Sequence, residues 1–359
     1  MTALLLVLGL VALLSGAEIL VRGASRLAAA TGLSPLVIGL TVVAFGTSAP
    51  ELAVGIDSVQ RGVSGIAIGN VIGSNVANVL LILGISALVT PLVVSRQLVW
   101  LDVPVMIGCS FLVFALAYDG NLSRIEGGGL ALLAVAYVGW LIRIARRESA
   151  AAAEANGSPP PRGRWSWAVD VALVLGGLGL LVLGARWLVQ SAVAIAQALG
   201  LSELVIGLTV IAVGTSLPEI ATSVMAAVRG QRDLAVGNIV GSNVLNLLVV
   251  LGLTAVVAPS GIPVNAAAIH FDFPVMIATA VACLPIFFTG HCIQRWEGAV
   301  FLGYYIAYTA YLLLDAAGHD ALPAFSIAMM QFVLPLTVIT LGIVSMRALH
   351  ERRRGGTSN

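Results

Sequence analysis

LSPLVIGLTVVAFGTSAPEL, residues 33–52, returns at 201–220 as LSELVIGLTVIAVGTSLPEI, with fifteen of twenty positions identical at an offset of 168. Each copy sets a Gly-Thr-Ser run and a Pro-Glu pair inside an otherwise apolar segment. A second match follows at the same offset: GNVIGSNVANVLLILG (69–84) against GNIVGSNVLNLLVVLG (237–252). Further along, DVPVM (102–106) meets DFPVM (272–276), and RIEG (124–127) meets RWEG (295–298). The chain is two copies of one unit, and identity concentrates on polar residues that packing alone does not require.

The surroundings are those of a membrane protein. Of 359 residues 59% are hydrophobic and 10% charged, and mean hydropathy is +1.03. These values exclude an ordinary soluble domain. A spanning helix needs about 20 mainly apolar residues. Eleven segments qualify: 3–29, 34–60, 66–90, 98–118, 127–145, 168–197, 202–228, 235–258, 269–289, 297–316 and 324–346. The first carries Glu18 and Arg22 and lacks a cleavage-site pattern after it, so it reads as retained rather than as a signal peptide.

The expected class is an all-α polytopic membrane protein: two inverted five-helix repeats, ten core transmembrane helices, and an eleventh C-terminal helix. Five spans per unit is an odd number, so the second copy enters the bilayer from the opposite side. Inverted repeats of this kind are common in secondary transporters, whose sites lie near the midplane at the repeat interface. The units read as 1–147 and 168–316, joined by a small, polar, Pro/Gly-punctuated linker at 148–167. Residues 317–359 hold the extra helix and a basic tail. All 18 basic residues are arginine. Alternating the spans with 146–167 inside puts fifteen arginines at the inner face and only Arg61, Arg124 and Arg186 at the outer one. The positive-inside rule then expects the N-terminus outside, and the central loop and C-terminus in the cytoplasm of a prokaryotic inner membrane.

A carboxylate at the bilayer centre costs about 2.5–3.5 kcal/mol on insertion scales. Two such groups about 4 Å apart repel by roughly 4 kcal/mol at an effective dielectric of 20. Glu51 and Glu219 therefore call for cations or protons. Thr47 and Ser48 precede Glu51 by four and three residues, and Thr215 and Ser216 precede Glu219 likewise. Pro50 and Pro218 lack an N–H and break or kink their helices, freeing carbonyls. The next span of each unit adds Ser74 and Asn78, or Ser242 and Asn246, at i, i+4 spacing. Asn75 and Asn243 read as interhelical glue, Asn78 and Asn246 as ligands. Hard oxygen donors without His or Cys suit Ca²⁺, which takes 6–8 oxygens, and two carboxylates balance one Ca²⁺ or two Na⁺.

Other polar residues have plainer readings. Glu18 and Arg22 form a local pair. Asp57 aligns with Met225 and is not duplicated. Asp102 and Asp272 stand at span starts as N-caps, and Glu126 and Glu297 suit helix dipoles. Cys109, Cys283 and Cys292 have neither metal spacing nor pairing.

GLTVVAFGTSAPE with GNVIGSNVAN, and GLTVIAVGTSLPE with GNIVGSNVLN, resemble the two α-repeats of the Na⁺/Ca²⁺ exchanger family within the cation/Ca²⁺ antiporter superfamily. The resemblance covers about residues 1–316 and points to a prokaryotic member. It implies ten helices in two inverted halves and four central cation sites in a diamond. It also implies Glu51 and Glu219 as central carboxylates, with Thr47, Ser48, Thr215, Ser216, Ser74 and Ser242 as hydroxyl ligands. Asn78 and Asn246 fill the polar corners, and backbone carbonyls at Ala44 and Ala212 complete the set. Some prokaryotic members carry Asp where Asn246 stands, and K⁺-dependent relatives carry an Asp in the second repeat, so K⁺ dependence is not expected. The short central loop lacks the Ca²⁺-sensing domains of animal exchangers.

The expected function is antiport of Na⁺ against Ca²⁺ by alternating access, with both ions and the lipid bilayer as partners and no cofactor or nucleic acid. A H⁺/Ca²⁺ antiporter using the same carboxylates is the alternative. It is disfavoured because GNVIGSN lacks the glutamate that the proton-coupled branch carries after its GN dipeptide. An intramembrane hydrolase would need a nucleophile, base and orienter, or histidine ligands, and none is visible.

Overall fold

The structure is a computed structural model. It describes residues 2–156, 164–199, 210, 212–288, 291–338 and 342, apart from the side chains of 148–156, 164–166, 212 and 332. The sequence segments at 157–163, 201–209 and 343–359 fall outside it, including the LSELVIGLT half of the second motif. In chain order the helices are α1 (Thr2–Thr31), α2 (Pro35–Gln60, interrupted), α3 (Gly65–Val89), α4 (Leu98–Ala117), α5 (Arg124–Asn156) and α6 (Arg164–Ala198). They continue with α7 (Ala212–Thr215 and Leu217–Val228), α8 (Arg232–Val257), α9 (Ala268–Phe288), α10 (Arg295–Ala316) and α11 (Leu322–Val338). Among the described residues nine of these are long and apolar enough to cross a membrane; α7 and α11 are described over shorter apolar stretches.

Four two-residue strands fix how the halves face each other: β1 (Leu92–Val93), β2 (Asn121–Leu122), β3 (Ile262–Pro263) and β4 (Cys292–Ile293). By repeat alignment β1 corresponds to β3, and β2 to β4. Yet β1 pairs with β4 and β2 with β3. The link after α3 thus shares a membrane face with the link after α9, and the link after α4 with that after α8. Equivalent links of the two units lie at opposite ends of the bundle, which is an inversion. The runs α4–α9 and α5–α8 are both even in number only when α7 counts as a full crossing.

The centre is α3 and α8, each 83% buried over its apolar window, whereas α5 and α6 are 28% and 33% buried. Apolar side chains on the outer helices face acyl chains. Helices α1 and α6 run antiparallel in close contact. A Cβ on Gly16 would lie 2.7 Å from the Leu181 nitrogen and 2.9 Å from the Gly177 oxygen. Gly9 meets Gly184 in the same way. Since Gly9 and Gly177 are repeat equivalents, as are Gly16 and Gly184, the crossing repeats itself about the internal two-fold. Without a hydrophobic drive between helices in lipid, such small-residue contacts carry the association.

The structure corrects several readings. Helix α5 continues to Asn156 and α6 begins at Arg164, so part of the expected linker is helical; the alanine run at 150–153 supplies the propensity. Asp102 makes no side-chain cap. It is fully buried and accepts from the Tyr137 hydroxyl of α5 at 3.4 Å, as Asp272 accepts from Tyr308 of α10. The helices begin a turn earlier than the caps assumed, through π-helical turns at Leu98–Asp102 and Ala268–Asp272. Glu126 and Glu297 do hold helix starts: Glu126 accepts from Ser123 N–H at 2.8 Å, and Glu297 completes a capping box with Gln294. Glu18 pairs with Arg22, and also with Arg229 of α7 at 2.6 Å.

Candidate cation site

Both Pro-Glu motifs break their helices at the serine before the Ala-Pro or Leu-Pro pair. The first piece of α2 ends at Thr47, Ser48 takes φ −81° and ψ 4°, and a new helix starts at Ala49. In α7 the break falls at Ser216, with φ −87° and ψ 6°. Pro50 and Pro218 sit in the first turn of the second pieces, where a missing N–H costs nothing. Glu51 and Glu219 sit there too, at the positive end of a helix dipole. Each is 1% exposed.

The breaks turn hydroxyls from one repeat toward the other. Ser74 Oγ of α3 donates to Glu51 Oε1 at 3.4 Å, and Ser216 Oγ of α7 donates to Ser74 Oγ at 3.4 Å. Ser48 Oγ of α2 reaches Glu219 Oε1 at 3.5 Å. Thr47 Oγ1 lies 3.2 Å from Asn238 Oδ1 and 3.5 Å from Ser242 Oγ, both on α8. Glu51 of the first repeat is thus linked through Ser74 to Ser216 of the second, and Glu219 of the second repeat to Ser48 of the first. These contacts are long for O–H···O bonds, so the oxygens gather without being clamped together. Thr215 is half-buried at the end of its helical piece. The Ala44 carbonyl accepts the Ser48 N–H at 3.0 Å and, more weakly, the Thr47 hydroxyl at 3.4 Å. Ala212 opens the corresponding piece of α7.

The asparagines show the internal symmetry in hydrogen bonds. Asn78 Nδ2 donates to Asn243 Oδ1 at 2.9 Å, and Asn246 Nδ2 donates to Asn75 Oδ1 at 3.1 Å. Asn75 and Asn243 therefore bind α3 to α8, and they also fix the amides of Asn78 and Asn246. Both of the latter open π-helical turns, Asn78–Leu83 and Asn246–Val250, a distortion frequent at functional sites. With their nitrogens engaged, Asn78 Oδ1 and Asn246 Oδ1 are left buried and without partners, as are Glu51 Oε2 and Glu219 Oε2. Buried acceptors without donors are costly. Four of them in two symmetry-related pairs, all oxygen, are what a desolvated hard cation satisfies.

Sequence reading passed over part of this cluster. Asn70 and Asn238, the asparagines of the two GN dipeptides, belong to it: Asn70 Nδ2 donates to the Glu51 backbone carbonyl at 3.3 Å. Asn238 Nδ2 holds Ser223 at 3.0 Å. Thr222 and Ser223, fully buried one turn beyond Glu219, have Val54 and Gly55 as their counterparts. Unlike the rest of the site they are not duplicated, so comparison of the repeats could not find them.

A profile of the family described as sodium/calcium exchanger protein matches residues 1–143 and 169–314. The chain belongs to this family. The sodium/calcium exchanger MaX1 of Methanosarcina acetivorans is 36% identical over 347 residues, covering 86% of this chain and 97% of the relative. Inner membrane protein YrbG of Escherichia coli is 36% identical over 227 residues, 60% of this chain and 67% of its own. The solved sodium-calcium exchanger NCX_Mj, soaked with Na⁺ and Ca²⁺, superposes with TM-score 0.73 at 31% identity, over 86% of this chain and 97% of that one. As a family member this exchanger is an integral membrane transporter, a cation/Ca²⁺ antiporter rather than an enzyme.

Proposed function

We propose that the chain exchanges Na⁺ for Ca²⁺ through the buried oxygen cluster between α2, α3, α7 and α8. The observation that carries this reading is the set of four orphaned oxygens on Glu51, Glu219, Asn78 and Asn246. Ca²⁺ would bridge Glu51 and Glu219, with Thr47, Thr215 and the carbonyls of Ala44 and Ala212 completing an all-oxygen shell. Na⁺ would occupy flanking positions made by Ser48, Ser216, Ser74 and Ser242 around the amide oxygens of Asn78 and Asn246. Both ions need the same two carboxylates, so occupancy is mutually exclusive. A site that is unfavourable when bare opposes return without cargo, and that opposition couples the two fluxes. The α1–α6 pair, tied to itself by the glycine crossing, is the unit that shifts against the rest to alternate access. The arginine distribution supports an N-terminus outside and a central loop inside.

The test is uptake of ⁴⁵Ca²⁺ into Na⁺-loaded proteoliposomes under an outward Na⁺ gradient, a pH gradient at equal Na⁺, or neither. Uptake is expected with the Na⁺ gradient alone. Uptake driven by the pH gradient alone would replace Na⁺ with H⁺ as the coupling ion and leave the carboxylates in place.

The amide pairing makes a second test. Asn75→Leu removes the acceptor of Asn246 Nδ2 and lets that side chain turn. Loss of a positioning partner of this kind typically costs about 10–100-fold in metal affinity. The same loss is expected for Asn243→Leu acting on Asn78. Ca²⁺ titration of thermal stability in detergent measures both, and a normal affinity in both variants would remove the amide oxygens from the ion shell.

A further inference from the structure

The lipid-facing side of α5 carries a stripe the exchange reading does not use. Val135, Val138 and Ile142 lie on one face at helical spacing; Arg146 continues it, with Arg143 and Arg147 on its flank. The apolar part of the stripe, with Leu175 and Val182 of α6 and Phe45 of α2, lines a cavity of about 1280 Å³ open to the bundle surface. Beside it is a depression of about 340 Å³ lined by the three arginines together with Gly139 and Ile142; Gly139 and Ile142 line both. Among the described side chains no acidic residue lines either space, and none of them pairs with the three arginines. From Val174 to Arg186 on α6 the cavity extends about 18 Å at helical rise. One leaflet of the hydrocarbon core is about 15 Å thick.

The geometry points to a binding site for an anionic phospholipid. Its acyl chains fill the cavity between α5 and α6, and its phosphate headgroup sits on Arg143, Arg146 and Arg147. An apolar slot one leaflet deep selects a lipid over a soluble anion, and three like charges at its mouth select an anionic lipid over a zwitterionic one. The bound chains touch Phe45 and Gly46, immediately before Thr47 and the break in α2. They also touch α6. The occupant therefore packs against the broken helix from outside.

The test is native mass spectrometry of the delipidated full-length chain in detergent, titrated with phosphatidylglycerol or phosphatidylcholine of identical acyl chains. Its readout is lipid mass, so it does not depend on which ion is exchanged. Three arginines at about fivefold each predict roughly a hundredfold preference for phosphatidylglycerol. Combining Arg143→Gln, Arg146→Gln and Arg147→Gln should abolish that preference and leave phosphatidylcholine binding unchanged. Gly139→Phe with Gly179→Phe should weaken both lipids, because a Cβ at either glycine meets nothing within 4 Å and the rings can enter the cavity without unfolding the chain. Equal affinity for the two lipids, an undiminished preference in the triple variant, or displacement of phosphatidylglycerol by soluble glycerol phosphate would each overturn the proposal.

Discussion

Glu219→Gln is expected to end Ca²⁺ exchange while leaving a folded protein that, free of ions, melts no lower than the native chain. The two effects have one cause. Glu219 is 1% exposed, and its Oε2 has no hydrogen-bond partner. Its neighbour in the cluster is a second carboxylate with the same deficit, Glu51. Glutamine keeps the shape and removes one of two like charges, which relieves the repulsion between them. It also removes half the negative charge available to Ca²⁺. Taking one partner from a buried charge pair typically costs about 3–5 kcal/mol, and a loss of that size lowers affinity more than a hundredfold. ⁴⁵Ca²⁺ uptake measures the loss, and thermal melting with and without Ca²⁺ separates it from misfolding. The native chain should gain stability with Ca²⁺ by mass action, and the variant should not. Glu51→Gln should behave alike, because the repeats place both groups equivalently. Retained exchange in both variants would move the ion path elsewhere.

What could be read from the sequence was whatever the repeat wrote twice. The break at Ser48 followed from Pro50, the burial of Glu51 and Glu219 from the apolar run around them, and the inversion from an odd number of spans. The features that stayed hidden are those that need a partner from the other repeat or that occur once. Asn75 looked like glue and is glue, but its hold on Asn246 requires knowing that α3 crosses α8. Asp102 looked like a cap because Pro104 follows it. Only the π-helical turn before it, which has no simple sequence signal, carries it inside to Tyr137. Glu18 paired with Arg22 on spacing alone, and Arg229, 211 residues away, was out of reach of any local rule. The stripe on α5 acquires meaning only with α6 and α2 beside it.

Gly16→Leu should lower the exchange rate more than tenfold and leave equilibrium ion affinity within about threefold. The Cβ alone would stand 2.7 Å from the Leu181 nitrogen and 2.9 Å from the Gly177 oxygen, both backbone atoms that no rotamer change can move. Helices α1 and α6 must separate, at a cost of about 1–3 kcal/mol for overpacking. No residue of the cation cluster lies on either helix, so binding at rest has little reason to change. What changes is the pair proposed above to move as one body between access states, because its halves are held together by close backbone approach rather than by long side chains. Gly9→Leu, at the two-fold-related crossing with Gly184, should have the same effect. Gly108→Leu is the control, since a Cβ there meets nothing within 4 Å. Exchange kinetics in proteoliposomes alongside Ca²⁺-dependent melting make the comparison. Equal losses in rate and affinity would mean that the α1–α6 crossing shapes the site itself. A loss of rate alone assigns it to the motion.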